Sequence, residues 1–163
     1  MNYERMNNPK YHFFWGGPFS NWAESPFTVN GIKYSCGEQW MMHQKALLFR
    51  DYESADKIMN ETNPGVQKAL GRKVFGYTDE DWVPVRKEIV KIGLREKFLQ
   101  NNKFFNYLIK YNNHIIVEAS PEDRIWGIGY RADDAMDNIA TWGRNLLGEI
   151  LNEIGDELQT DRD

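Results

Sequence analysis

The chain has 163 residues, 41% of them hydrophobic and 27% charged, with a formal net charge of 20 − 24 = −4. One domain's worth of core fits that length, and a single cysteine, Cys36, excludes both a disulfide-stapled module and a CxxC zinc module. No run of 18 apolar residues exists, residues 1–10 carry no signal-peptide core, and the mild acidity gives no general field for a phosphate backbone, so a cytoplasmic, membrane-independent protein is expected.

Residues 1–10 read as a polar N-terminal extension. Tyr11 to Trp15 reads as a short strand ended by Gly16-Gly17-Pro18. Phe27–Val29 and Ile32–Tyr34 flank Asn30-Gly31, a two-residue turn that needs positive φ at both positions and predicts a hairpin. Ser35 followed by Glu38 fits a capping box and predicts a helix to about Phe49. A short helix is expected over Ser54–Asn60, and Asn63-Pro64 starts another that stops near Gly71. Asp79 is expected to cap one long helix from Glu80 to Leu99, with Pro84 in its first turn and Ile89, Ile92 or Gly93, Leu94 and Phe98 on its buried face.

Lys103–Lys110 reads as helix and His114–Ala119 as the best strand. Asp123–Tyr130 reads as a Gly-rich turn. Met136–Leu158 reads as a last helix with an Ile139, Trp142, Leu146, Ile150, Ile154 stripe. The polar tail 156–163 is expected to fray. The sum is a helix-rich α+β chain: a single domain over 11–155 around a small sheet.

No dinucleotide or P-loop signature occurs, and His12, His43 and His114 are too scattered for a metal site, so no cofactor and no metal are expected. A Cys36–His43 dyad fails on reach, because His43 lies seven residues on, two helical turns away.

Four local clusters could carry chemistry. Glu38 and Lys45, seven apart, share a helix face roughly 10 Å apart and could grip opposite ends of one ligand. The alternative reads Glu38 as only the capping-box Glu and Lys45 as only a solvated lysine. Glu118–Gly129 sets acids, among them Asp123, beside Trp126 in a loop after a buried strand, either as functional groups or as a surface turn. Trp142–Gly148 places two glycines and Asn145 in the last helix. Close helix packing and close approach of a ligand both fit. Lys68, Arg72 and Lys73 offer either a local phosphate site or a solvated basic face. An aromatic content of 14%, with six Trp, suits either a pocket for a planar ring or a large core.

In order and spacing, these clusters resemble the NADAR (NAD- and ADP-ribose-associated) family, also called YbiA-like. The match rests on Phe19-Ser20-Asn21-Trp22 with Ser25-Pro26-Phe27; Glu38 through Ala46; Ala69-Leu70-Gly71-Arg72; and Trp82 with Arg86. It continues through Lys97-Phe98; Val117-Glu118-Ala119-Ser120; Asp123 with Trp126-Gly127-Ile128-Gly129; and Trp142 through Gly148.

The resemblance implies a YbiA-like α+β fold and an N-glycosidase that hydrolyses a ribosyl C–N bond. The substrate would be either guanine-linked ADP-ribose, whose modification is reversed, or a phosphoribosylamino-pyrimidine intermediate of riboflavin biosynthesis. By position it makes Glu38, Trp82 and Asp123 active-site residues and Lys45 the family's lysine. Asn21, Trp22, Lys68, Arg72, Trp126, Gly127, Trp142 and Asn145 are the substrate-binding candidates, with Trp15 a further stacking candidate.

The chemistry is consistent with this. A carboxylate beside an anomeric carbon stabilises oxocarbenium character or activates water, and the leaving nitrogen needs a proton. Lys45 could hold a phosphate or sugar oxygen, or attack the opened sugar as an amine. The expected partner is a small ribosylated nucleobase, or ADP-ribosylated single-stranded nucleic acid. The competing reading is a non-catalytic ADP-ribose or nucleotide-binding module.

Overall fold

Asn30 and Gly31 take φ of 51° and 80°, and the turn they make pairs β2 (Phe27–Val29) antiparallel with β3 (Ile32–Tyr34), Phe27 opposite Tyr34. The computed structural model describes residues 3–161. Met1 and Asn2 of the N-terminal extension, and residues 162 and 163 of the tail, lie outside the described residues. The chain forms two compact units, Asn21–Asn102 and Met1–Ser20 with Lys103–Asp163. Among the described residues the strands make two two-stranded ladders.

In the unit 21–102, the hairpin is followed by α2 (Gly37–Leu48), α3 (Tyr52–Met59) and α4 (Pro64–Gly71). Asn63 caps α4 through its side chain, which accepts from the Gly65 N–H at 2.8 Å, and Pro64 opens the helix, as the sequence predicts. The long helix expected from residue 80 is two helices. Thr78, rather than Asp79, caps α5 (Asp79–Trp82), and α6 (Arg86–Gln100) begins after Pro84. Proline lacks the N–H that would continue the ladder, and its ring crowds the carbonyl four residues back.

The buried face of α6 is Val90, Gly93, Leu94, Lys97 and Phe98, while Ile92 is exposed. Gly93 is required where Trp40 of α2 lies flat on the helix, because a Cβ there would enter the indole ring. Trp40 also packs with Phe27 and Tyr34, and its Nε1 donates to the Ile89 carbonyl at 2.9 Å.

In the other unit, β1 (Tyr11–Phe14) pairs parallel with β4 (Ile115–Glu118), Tyr11 opposite Ile115. Ahead of β1, α1 (Tyr3–Asn7) interrupts the polar extension. Its Arg5 pairs with Asp156 at 2.9 Å and donates to the Asn112 carbonyl. Downstream lie α7 (Asn102–Tyr111), α8 (Ala132–Ala135), a 3₁₀ turn over Met136–Thr141 and α9 (Leu146–Thr160). The tail expected to fray continues α9 as far as Thr160, where Asp156 is held by Arg5.

The last helix expected from Met136 is therefore broken. Trp142 to Asn145 is a connector, and Asn145 takes a left-handed φ of 52°. From Gly143 to Leu147, successive backbone N–H groups donate to the carbonyls of Ile128, Arg124, Gly127, Ile125 and Trp126. The connector thus bonds to the 124–128 loop instead of to itself.

Candidate active site

Capping at the start of α2 differs from the expected box. Cys36 is the N-cap and its side chain makes no cap bond. Gln39 reaches back instead, its Oε1 accepting from the Ser35 N–H at 2.8 Å and its Nε2 donating to the Ile58 carbonyl at 3.1 Å. Capping is thereby assigned to Gln39. Glu38 is 4% exposed, and its backbone N–H donates to the Asn21 carbonyl at 2.9 Å. A Cβ on Gly37 would sit 2.6 Å from Asn21 Oδ1, so glycine lets the Asn21 side chain lie against the helix start. That oxygen is buried without a hydrogen-bond partner among the described residues.

Two turns along, the Lys45 ammonium sits 4.4 Å from the centre of the Tyr77 ring. Burial lowers the Lys45 pKa. The Glu38 carboxylate opposes that shift, Arg72 reinforces it and Asp79 opposes it. Glu38, Lys45 and Arg72, three residues the sequence singles out, therefore share one electrostatic neighbourhood. Arg72 is the exposed C-cap of α4, one helical turn beyond the half-buried Lys68. Trp82 is buried at the end of α5. Trp22 is exposed and lies beside Gly65 at the start of α4, where a Cβ would be 3.5 Å from the indole.

Cys36 donates to Gln67 Oε1 at 3.3 Å, while His43 Nδ1 lies 2.8 Å from the Tyr34 hydroxyl. The two make no dyad. Burial pushes the Cys36 thiol up, which leaves it a poor thiolate source.

The remaining candidates belong to the unit that holds β1 and β4. Asp123 Oδ1 accepts from the N–H groups of Ile125 (2.9 Å) and Trp126 (2.8 Å), so one carboxylate oxygen holds the turn that presents the half-buried Trp126. Gly127 is required because a Cβ would lie 2.7 Å from the Glu118 carbonyl. Trp142 packs edge-on against Tyr11 and Phe13 and donates to the Ala135 carbonyl at 2.8 Å. Asn145 uses both ends of its carboxamide on β4: Oδ1 accepts from the Glu118 N–H and Nδ2 donates to the Ile116 carbonyl, each at 3.0 Å. Both glycines of that segment serve packing. A Cβ on Gly143 would enter the Arg124 backbone and one on Gly148 the Ile116 carbonyl. Trp15, half exposed, carries Arg131 near its ring face at 5.9 Å.

Sequence reasoning passes over Lys97 as a group in its own right. It is 0% exposed, and burial pushes its pKa down to about 7, with Cys36 opposing. The available signal is spacing: Val90, Leu94 and Lys97 stand at i, i+4 and i+7, so the lysine occupies a core position of α6. Among the described residues, no cluster of three or more His, Cys, Asp or Glu could hold a metal ion, and no helix is long and apolar enough to cross a membrane.

The chain is 40% identical over 134 residues to Protein irg-1 of Caenorhabditis elegans, a match covering 79% of this chain and 63% of that one. It thus spans under two thirds of that relative's length. It is 40% identical over 170 residues to N-glycosidase R617 of Acanthamoeba polyphaga mimivirus, covering 94% of this chain and 99% of the relative. The solution structure of Escherichia coli YbiA superimposes with a TM-score of 0.77 at 25% identity, over 93% of this chain and 86% of that one. The NADAR domain model matches residues 13–159, and the chain belongs to the NADAR domain family.

Proposed function

We propose that this chain is an N-glycosidase that hydrolyses the bond between a ribose anomeric carbon and a base nitrogen, on a substrate whose ribose carries a phosphate. The observation that carries the reading is Glu38. It is a buried carboxylate outside the capping arrangement of its own helix, with Lys45 and Arg72 in one neighbourhood on the same unit. The names of R617 and YbiA as N-glycosidases support it.

As the C–N bond lengthens, positive charge develops on the sugar. A desolvated carboxylate at the anomeric carbon is worth more there than in water, whether it faces the oxocarbenium directly or takes a proton from the attacking water. Lys45 and Arg72 supply two cations for phosphate oxygens. Trp22, exposed, and Trp82, buried at the end of α5, are the tryptophans of this unit proposed to stack on a base. Asn21 Oδ1 is suited to accept from a sugar hydroxyl. Asp123 is proposed as a functional carboxylate through Oδ2, since Oδ1 holds its turn. Asn145 and Trp142 are assigned to holding β4 and the strand face.

The test is mass spectrometry of products from a guanine-ADP-ribosylated oligonucleotide and a 5-phosphoribosylamino-pyrimidine, with wild-type chain and Glu38→Gln side by side. The expected result is release of ADP-ribose or ribose 5-phosphate that falls by about 10²–10⁴-fold in the variant while substrate still binds. Equal turnover in Glu38→Gln sinks the assignment. Binding without product in both leaves a nucleotide-binding module. Borohydride trapping of a Lys45–sugar adduct would move Lys45 from holding phosphate to attacking the sugar.

A further inference from the structure

Lysine ends in a flexible four-carbon stem, and at the last turn of a helix nothing in the sequence holds its ammonium in one place. At Lys45 the structure supplies the holder. The Tyr77 ring face lies 4.4 Å from Nζ, inside the range of about 6 Å in which a cation is attracted to the ring quadrupole. The ring is itself fixed. Gly76 takes a φ of 80° and turns the chain into it, Phe49 packs against it at 5.3 Å, and its hydroxyl donates to Asp79 Oδ1 at 2.6 Å. The phenol stays protonated across the working range, because burial and the Asp79 carboxylate push it up to about 12. Tyr77 therefore presents a neutral ring with no charge to repel a phosphate.

The charged groups acting on Lys45 are Glu38 on its own helix, Arg72 at the end of α4 and Asp79 at the start of α5; Arg86 at the start of α6 acts on Tyr77. Two carboxylates and the ring favour the ammonium, while burial and Arg72 disfavour it. Of these supports, the ring stands in direct contact range of the nitrogen, 4.4 Å from it.

We propose that Tyr77 is a positioning residue for Lys45: its ring face holds the ammonium in its charged form beside Arg72, so that the two cations together receive a phosphate of the substrate. This rests on the glycosidase reading for the identity of the ligand, but not for the state of Lys45.

The test separates the two. Lys45 is titrated by NMR in chain labelled with ¹³C-lysine, its signal identified by its loss in Lys45→Arg, in wild type, Tyr77→Leu and Tyr77→Phe. Loss of the ring should lower the Lys45 pKa by about half a unit to one unit in Tyr77→Leu, and Tyr77→Phe should restore the wild-type titration. In turnover assays Tyr77→Leu should raise KM about three- to tenfold, with kcat within about twofold. An unmoved titration in Tyr77→Leu overturns the proposal, and so does a moved titration that Tyr77→Phe fails to restore. If the wild-type chain hydrolyses neither substrate, the glycosidase reading falls while the titration still decides on Tyr77. Tyr77 is 37% exposed, so both variants should fold, and circular dichroism checks this before titration.

Discussion

Lys97 places an amine where water does not reach, and that has a consequence for stability. Its pKa is about 7 in the folded chain against an ordinary 10.5. Between those values the unfolded chain binds the proton more completely than the native one, so this residue makes stability rise with pH from about 7 upward. The slope is at most about 1.4 kcal/mol per pH unit, and below pH 7 the contribution is flat. Lys45, whose pKa is also lowered, adds to the same sign. Lys97→Met keeps the length of the side chain and removes the titration. Urea unfolding at pH 7, 8 and 9 should give a curve of stability against pH that is flatter in the variant than in wild type. Parallel curves would show that Lys97 does not titrate in this window. A lysine in an amphipathic helix ordinarily reads as a solvated residue, which is why this one is hard to read from sequence. Only its register with Val90 and Leu94 betrays it, and composition does not distinguish a buried ammonium from a solvated one.

At the scale of elements, what was legible had a local cause. Asn30-Gly31 sets its hairpin by turn geometry, and Asn63-Pro64 starts α4 by a side-chain cap and a fixed φ. Where the cause is tertiary, the sequence misleads. The stripe from Ile139 to Ile154 reads as one helix, but the N–H groups of residues 143–147 find carbonyls at 124–128, and the helix can begin only after Asn145 turns left-handed. The capping box fails for a related reason: Gln39, which also bonds α3, out-competes Glu38 for the Ser35 N–H. That competition is what leaves Glu38 outside the cap, so the misreading and the candidate catalytic residue have one origin.

Asn145 tests the tertiary account. Asn145→Gly keeps the left-handed φ at little cost but loses both bonds to β4, about 1 kcal/mol each and more where a strand amide is left buried and unpaired. Asn145→Ala loses the same bonds and adds about 1–2 kcal/mol for a left-handed alanine. Denaturant unfolding should therefore rank wild type above Asn145→Gly above Asn145→Ala. Equal loss in the two variants would mean that the backbone turn is not constrained as described.

For the molecule as a whole, charge sets how a nucleic-acid substrate could be held. The net charge is −4, and the charges acting on Lys45 are one cation, Arg72, and two acids, Glu38 and Asp79. Two cations can hold one phosphate group, and a chain of net negative charge gives no general field to draw a strand along it. Affinity for an ADP-ribosylated single strand should then come from the modified nucleotide. Two or three cations on a single strand give a log–log salt slope of about −1.4 to −2.1, because each neutralised phosphate contributes about 0.7. The expected outcome is a slope near −2 that does not steepen as the oligonucleotide lengthens from a few residues to about twenty, measured by fluorescence anisotropy with Glu38→Gln to prevent turnover. A slope of −4 or steeper, growing with length, would mean that the chain tracks the backbone and that Lys68 and Lys73 act with the site. A flat length dependence would instead tie recognition to the ribosyl phosphate beside Glu38, which is the part of the substrate that a free nucleotide and a modified strand have in common.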